Sequence, residues 1–177
     1  MKQPLRVRLY ALTSLFKGRL QKGLIHMKAV IQRVTRASVT VEGEKISSID
    51  NGLLILLGVA DGDTERDAEV LADKIANLRI FSDSDDKMNL SLLTTNGAAL
   101  VVSQFTLCAN CSHGRRPDFF GAAKPDLANE LYEYFCKRIK EAGVSDVQKG
   151  VFGADMKVEL LNDGPVTIMI DSGELKK

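Results

Sequence analysis

From Ala29 to Val41 the chain alternates apolar and polar residues, the two-residue period of a strand with one covered face. Glu42-Gly43-Glu44 then turns it back into "KISSI", a hairpin signal. Asn51-Gly52 marks a second turn and leads into "LLILLGVA" (53–60), an apolar run short enough for a strand buried on both faces. Asp61-Gly62-Asp63 ends it. Ala68, Leu71, Ile75 and Leu78 then recur at three- and four-residue spacing, which predicts an amphipathic helix over 65–79. Thr64 and Asp67 frame its start like a capping box, with Asp where Glu or Gln is usual.

"AALVVSQF" (98–105) reads as the next buried strand. A second helix runs from Pro125 towards Gly143. Asp126 and Glu130 lie near its start, and Lys137, Arg138 and Lys140 near its end, each sign matched to the helix dipole. Its apolar stripe is Leu127, Leu131, Tyr134, Phe135 and Ile139. The stretch "VELLNDGPVTIMI" (158–170) holds two strands on either side of Asn162-Asp163-Gly164-Pro165, although proline cannot donate to a ladder and glycine weakens a strand. Strands outnumber helices, and the helices fall between groups of strands. The expected fold is therefore α+β, a single domain with a mixed, β-barrel-like sheet and two packed helices.

Charge divides the chain. Residues 1–26 carry six basic residues and no acid, and removing those six from 24 leaves 18 against 23 acids, so 27–177 is net −5. A domain that tracks nucleic acid along a broad surface is usually basic; any RNA partner of 27–177 is expected to be gripped locally. The basic segment lacks a secretory signal's unbroken apolar stretch and cleavage site. It is expected to lie outside the fold, as an upstream extension or a misassigned start, with the domain at 27–177. No run of about 18 apolar residues suggests a membrane span. Three cysteines, an odd number, argue against a disulfide framework and fit a reducing, cytoplasmic setting.

Candidate chemistry is sparse. Cys108-x-x-Cys111 with His113 looks like part of a zinc site, but a fourth ligand is missing, and packing or surface cysteines explain it as well. "SDSDD" (82–86) resembles half a calcium loop without its glycine and closing glutamate, and reads as a solvated turn. His113 is the only histidine of 27–177, and no G-x-S-x-G surrounds a serine, so no side-chain triad is in view. Ser103 and Thr106 end an apolar strand, where hydroxyls often satisfy backbone groups. Backbone N–H groups there would also suit a developing oxyanion. "HGRRPDFF" (113–120) sets Arg115 and Arg116 beside Phe119 and Phe120. That composition suits a phosphate and a stacked base, or equally a charged turn with two phenylalanines tucked into the core.

Taken together, "MKAVIQRV" (27–34), "SQFTL" (103–107), "GRRPDF" (114–119), "FGADM" (152–156) and "NDGPVT" (162–167) closely resemble the D-aminoacyl-tRNA deacylases. The resemblance runs in order from Met27 to about Ile170. It departs at Ser112-His113, where a more basic pair is common, which bears on how firmly tRNA phosphates are held. It implies a homodimer with active sites at the subunit interface and no cofactor or metal. The reaction implied is cleavage of the ester joining a D-amino acid to the terminal adenosine of tRNA. It also implies a cis Gly164-Pro165 peptide entering the partner's pocket, its carbonyls walling off L-residues while glycine escapes. Backbone N–H groups of Phe105 and Thr106 would polarise the ester, with Ser103 and Gln104 shaping the pocket. Phe152 and Met156 would pack on the adenine, Arg33 would brace the partner's Gly164-Pro165 loop, and Asn162 belongs to the same substrate-binding motif. Thr167 is either a nucleophile or a positioning residue, and no base is visible beside it. Three other readings stand beside this one: a non-catalytic RNA- or partner-binding module, a metal hydrolase using Cys108, Cys111 and His113, and a structural protein with no site. The joint presence of SQFTL and the Gly-Pro motif weighs against the first, and the six-residue NDGPVT motif against the last.

Overall fold

Strand β1 (Lys28–Val41) is long enough to be shared, and the fold is built around it. In the computed structural model, which describes residues 26–175, one edge of β1 carries two strands in succession. Its first half pairs antiparallel with β3 (Gly52–Gly58) and its second half with β2 (Glu44–Ile49). The other edge pairs antiparallel with β8 (Met156–Asp171) along nearly its whole length. Beyond β3 the sheet continues in parallel through β6 (Ala98–Ser103) and β7 (Val147–Lys149). β2 curls back against β6 and β7, so the mixed sheet is almost a closed barrel. The extension expected at 1–26 lies, apart from His26, outside the described residues.

Closure explains why β3, and β6 as far as Val102, carry no polar side chain. Leu53, Ile55, Leu57, Ala99 and Val101 face outward under the helices, where they join Leu71, Ile75, Leu131, Phe135 and Ile139. The alternate residues Leu54, Leu100 and Val102 face inward and meet Val34, Ala37, Val39 and Ile49 across the barrel. Burying each leucine or valine fully stabilises the fold by roughly 1.5–3 kcal/mol.

Among the described residues the helical layer holds three helices rather than the two expected: α1 (Glu65–Ala76), a single turn α2 (Leu92–Thr95) and α3 (Pro125–Glu141). A four-residue turn is too short to show a helical period, although Ser91 caps it by accepting from the Thr94 amide at 3.2 Å. Helix α1 starts as expected, with Asp67 Oδ2 accepting from the Thr64 amide at 3.0 Å. It stops at Ala76, short of Leu78. In α3 the buried tyrosine is Tyr132; Tyr134 sits at the edge and donates to Glu69 at 2.9 Å. β4 (Phe81–Ser82) and β5 (Met88–Leu90) form a small separate hairpin, whose turn Asp83 holds by accepting from the amides of Asp85 and Lys87. The "SDSDD" stretch is thus a turn. No helix among the described residues is long and apolar enough to cross a membrane.

One glycine is dictated by the close approach of backbones. A Cβ at Gly52, where β3 begins beside β6, would lie 1.9 Å from the Ala98 carbonyl oxygen. Gly52→Ala is expected to cost about 3 kcal/mol or more, because a carbonyl within a parallel ladder cannot yield. Gly43 has open space but a positive φ of 84°, so Gly43→Ala is expected to cost only about 1 kcal/mol. Urea midpoints of the two variants check the contrast, and equal losses would contradict it.

Candidate active site

The ladder between β1 and β8 does not run through evenly. Gln32 faces Thr167 and Val34 faces Asn162, so Arg33 alone stands opposite four residues, Asp163 to Val166. The strand therefore bulges out as a kink whose tip, Asp163-Gly164-Pro165, is exposed. The two strands expected around this stretch are one continuous β8. The Gly164-Pro165 peptide is cis.

Two side chains of β1 hold the kink. The Gln32 amide donates to Asn162 Oδ1 at 3.2 Å and to Thr167 Oγ1 at 3.4 Å, tying its two flanks together. Arg33 is buried and reaches its interior. Its Nε lies 2.7 Å from Asp163 Oδ2, a charge contact rather than an aligned hydrogen bond. Its Nη2 donates to the Gly164 carbonyl at 3.5 Å, and its Nη1 donates to the Ile80 carbonyl. The resemblance assigns Arg33 to the partner's loop; here it grips the loop of its own chain. The register requires this, because Arg33 is the residue that faces the bulge.

The second cluster is a groove of about 450 Å³ between the end of β6, helix α3 and the segment 152–158. Ser103, Gln104 and Phe105 form one wall, with Phe152 and Met156 on another and Tyr132 below. β6 ends at Ser103, earlier than expected, and Phe105–Cys108 form a 3-10 turn. The Gln104 amide donates to the Leu57 carbonyl at 2.7 Å, which fixes the turn to β3. A first helical turn leaves its leading N–H groups without internal acceptors. Among the described residues neither the Phe105 nor the Thr106 amide has a partner. The Gln104 side chain donates to Thr106 Oγ1. Tyr132 donates to the Val101 carbonyl at 2.9 Å and lies 6.0 Å from Phe152, ring centre to ring centre.

The expected site residues thus gather in two groups. Ser103, Gln104, Phe105, Phe152 and Met156 line the groove, with Thr106 beside it. Arg33, Asn162, Gly164, Pro165 and Thr167 form the kink, and none of these lines that groove. Gln32, Asp163 and Tyr132 were not anticipated. Two consecutive polar residues inside the apolar strand "VIQRV" were the available signal for Gln32. Cys108, Cys111 and His113 do not converge. Cys108 is buried against the Val59 carbonyl, its thiol pushed up by burial, Cys111 is exposed, and His113 Nδ1 meets Ser112 Oγ. Among the described residues the one grouping with metal-ligand proximity is His26, Asp63 and Asp67. Its carboxylates already serve the backbone and its hydroxyls. Asp63 accepts from the amides of Met27 and Ala60, and Asp67 from Thr64 and Ser172. Burial, with Asp67 nearby, raises Asp63 to about 6.

Residues 30–171 match the family model described as D-Tyr-tRNA(Tyr) deacylase. A D-aminoacyl-tRNA deacylase of Geotalea daltonii is 58% identical over 146 residues, 82% of this chain and 97% of that protein. One from Thermus aquaticus is 58% identical over 148 residues, covering 84% and 97%. Among solved structures, that of the c-Myc DNA Unwinding Element Binding Protein has a TM-score of 0.77 and 42% identity, covering 81% of this chain and 97% of that one. A probable eukaryotic D-amino acid tRNA deacylase has a TM-score of 0.71 at 19% identity, a likeness of fold alone, covering 82% and 98%.

Because Arg33 supports the kink from below, Arg33→Met is expected to loosen it. The orphaned Ile80 carbonyl alone is worth about 1–3 kcal/mol. Amide hydrogen exchange should quicken at Asp163, Gly164 and Val166 while Gln104 keeps its protection. Uniform acceleration over both clusters would mean that Arg33 supports the fold in general and not the kink.

Proposed function

This chain belongs to the D-Tyr-tRNA(Tyr) deacylase family, and from that premise we propose how its two clusters make one site. It hydrolyses the ester between a D-amino acid and tRNA. The groove receives the terminal adenosine, with Phe152 and Met156 as an apolar platform for the base. The Phe105 and Thr106 amides aim at the ester carbonyl, where each donor to a developing oxyanion is worth about 2.7–4 kcal/mol. Ser103 and Gln104 fix the shape of that cradle. The kink of a second copy closes the groove, so the working unit is a homodimer. The terminal 2′-OH, absent from DNA, assists the attacking water. No metal or other cofactor enters. The enzyme works where charged tRNA is used, in the cytoplasm.

One observation carries this reading. A Cβ at Gly164 would meet only Asn162 Nδ2, at 3.6 Å, which is ordinary contact. The chain's own packing therefore does not call for glycine there. The requirement comes from outside the chain, where the tip faces the substrate's α-carbon. The carbonyls of Gly164 and Pro165 hold the amino group. A D-residue then turns its side chain to open space, and an L-residue drives its Cβ into the tip. A thousandfold preference needs about 4 kcal/mol, within reach of one unrelieved clash. Glycyl-tRNA, with no Cβ, is hydrolysed too. On this reading Gly164→Ala leaves the urea midpoint nearly unchanged and lowers D-alanyl-tRNA turnover at least about 100-fold. Wild-type enzyme cuts D-alanyl- and glycyl-tRNA but spares L-alanyl-tRNA. Equal rates on the two alanyl enantiomers would end the exclusion idea.

Thr167 positions rather than attacks. Among the described residues its hydroxyl meets only the Gln32 amide, which donates and so cannot take a proton as a general base must. Thr167→Ala is expected to keep most of the single-turnover rate. Near-total loss together with a trapped acyl-enzyme would make it the nucleophile.

A further inference from the structure

The segment after the SQFTL turn is a closed tongue. Asn110 and Asp118 exchange both backbone hydrogen bonds, at 2.8 and 3.1 Å, and the chain returns to the body through Gly121 to Asp61 and Ala123 to Val59. Phe119 lies edge-on against Phe105, ring centres 5.1 Å apart, which joins the tongue to the wall of the groove. Its neighbour Phe120 has no such cover: it is 94% exposed, the most exposed large apolar side chain among the described residues. Between residues 111 and 124 the charges are Arg115, Arg116 and Lys124 against Asp118. The three cations are exposed, and among the described residues none is in an ion pair. In a domain of net −5 this is a local excess of positive charge beside a bare aromatic ring.

We infer that this tongue is a second nucleotide subsite, for the single-stranded 3′ end of the substrate RNA just upstream of the terminal adenosine. It rests on the reading that the adenosine occupies the groove. The base before the adenosine stacks on Phe120, and Arg115 and Arg116 meet the adjoining phosphates. A flat ring fully open to water gains from stacking whatever base arrives, at about 1–3 kcal/mol for a base on an aromatic ring. Arginine suits phosphate because its planar fork donates in pairs. Protein partners also select exposed aromatics, but an interface core is depleted of charge. Two unpaired arginines beside the ring favour a polyanion.

The test compares D-tyrosyl-tRNA with 3′-O-(D-tyrosyl)adenosine, which has no upstream nucleotide. Phe120→Ala is expected to lower the kcat/KM ratio of the tRNA over the adenosine ester by about 5- to 100-fold, and Phe120→Trp to restore it. Arg115→Ala with Arg116→Ala should flatten the dependence of log kcat/KM on log salt by about 1.4 for tRNA, at about 0.7 per contact. An unchanged ratio in Phe120→Ala, or an unchanged salt slope in the arginine variant, overturns the subsite. So does a shift in oligomeric state of Phe120→Ala by sedimentation, which would assign the ring to contact between copies. Wild-type turnover of the adenosine ester, and its loss in Phe152→Ala, report separately on the groove. The two readings therefore fail apart.

Discussion

Between Gln32 and Val34 the first strand has one residue where the last strand has four. A ladder has a fixed repeat, so the surplus must leave the sheet, and where it leaves is set by whichever pairs are registered on either side. Here both flanks are paired, Lys28 to Gln32 on one side and, past a second irregularity between Val34 and Arg36, Arg36 to Val41 on the other, which holds the kink in place. The polar pair Gln32-Arg33 stands below it: Gln32 ties the side chains of its two flanks, and Arg33 donates to the Gly164 carbonyl, which bulging strips of a ladder partner. A loop would have reached the same place with less certainty. A bulge pinned by two strands carries its tip as firmly as the sheet carries the strands.

The groove is fixed by the same economy. Its donors are main-chain amides at the mouth of a 3-10 turn whose preceding residue is bonded to β3. Such donors have no rotamer freedom to lose and no proton to give up with pH. An oxyanion cradle benefits most from dipoles that do not reorganise. That is consistent with a domain whose one histidine beyond His26 is at exposed position 113 and whose buried cysteine thiols, Cys108 and Cys136, are pushed up by burial. On the proposed mechanism, chemistry by positioned backbone makes ionisable side chains unnecessary.

Much of this was legible in the chain. The alternation of β1, the apolar runs of β3 and β6 and the stripe of α3 mark elements whose pattern survives any tertiary arrangement. What escaped depended on non-local pairing. Nothing within residues 158–170 tells a two-strand reading from one strand with a bulge, because the difference lies in the register against β1. The hold of Arg33 on its own chain's kink was hidden for the same reason, since its partners Asp163 and Gly164 are about 130 positions away in sequence and adjacent only across the ladder. Helix α2 was too short to show a period. Tyr132 was passed over for Tyr134 because the buried face of α3 is turned slightly from the stripe, towards the groove.

The acidic balance of residues 27–177 then bears on how RNA is held. A net −5 repels a polyanion at long range, although at physiological salt the repulsion fades over about 8 Å. On the proposed reading, affinity comes from contacts made inside that distance: an apolar slot for one base, amides turned to one carbonyl, and a few cations that have no ion pair among the described residues. Contacts of this kind recognise an end, not a duplex. On the proposed reading, discrimination is concentrated in the small volume where the α-carbon lies, and there the tip carries a glycine whose place the chain's own packing would leave open to a Cβ.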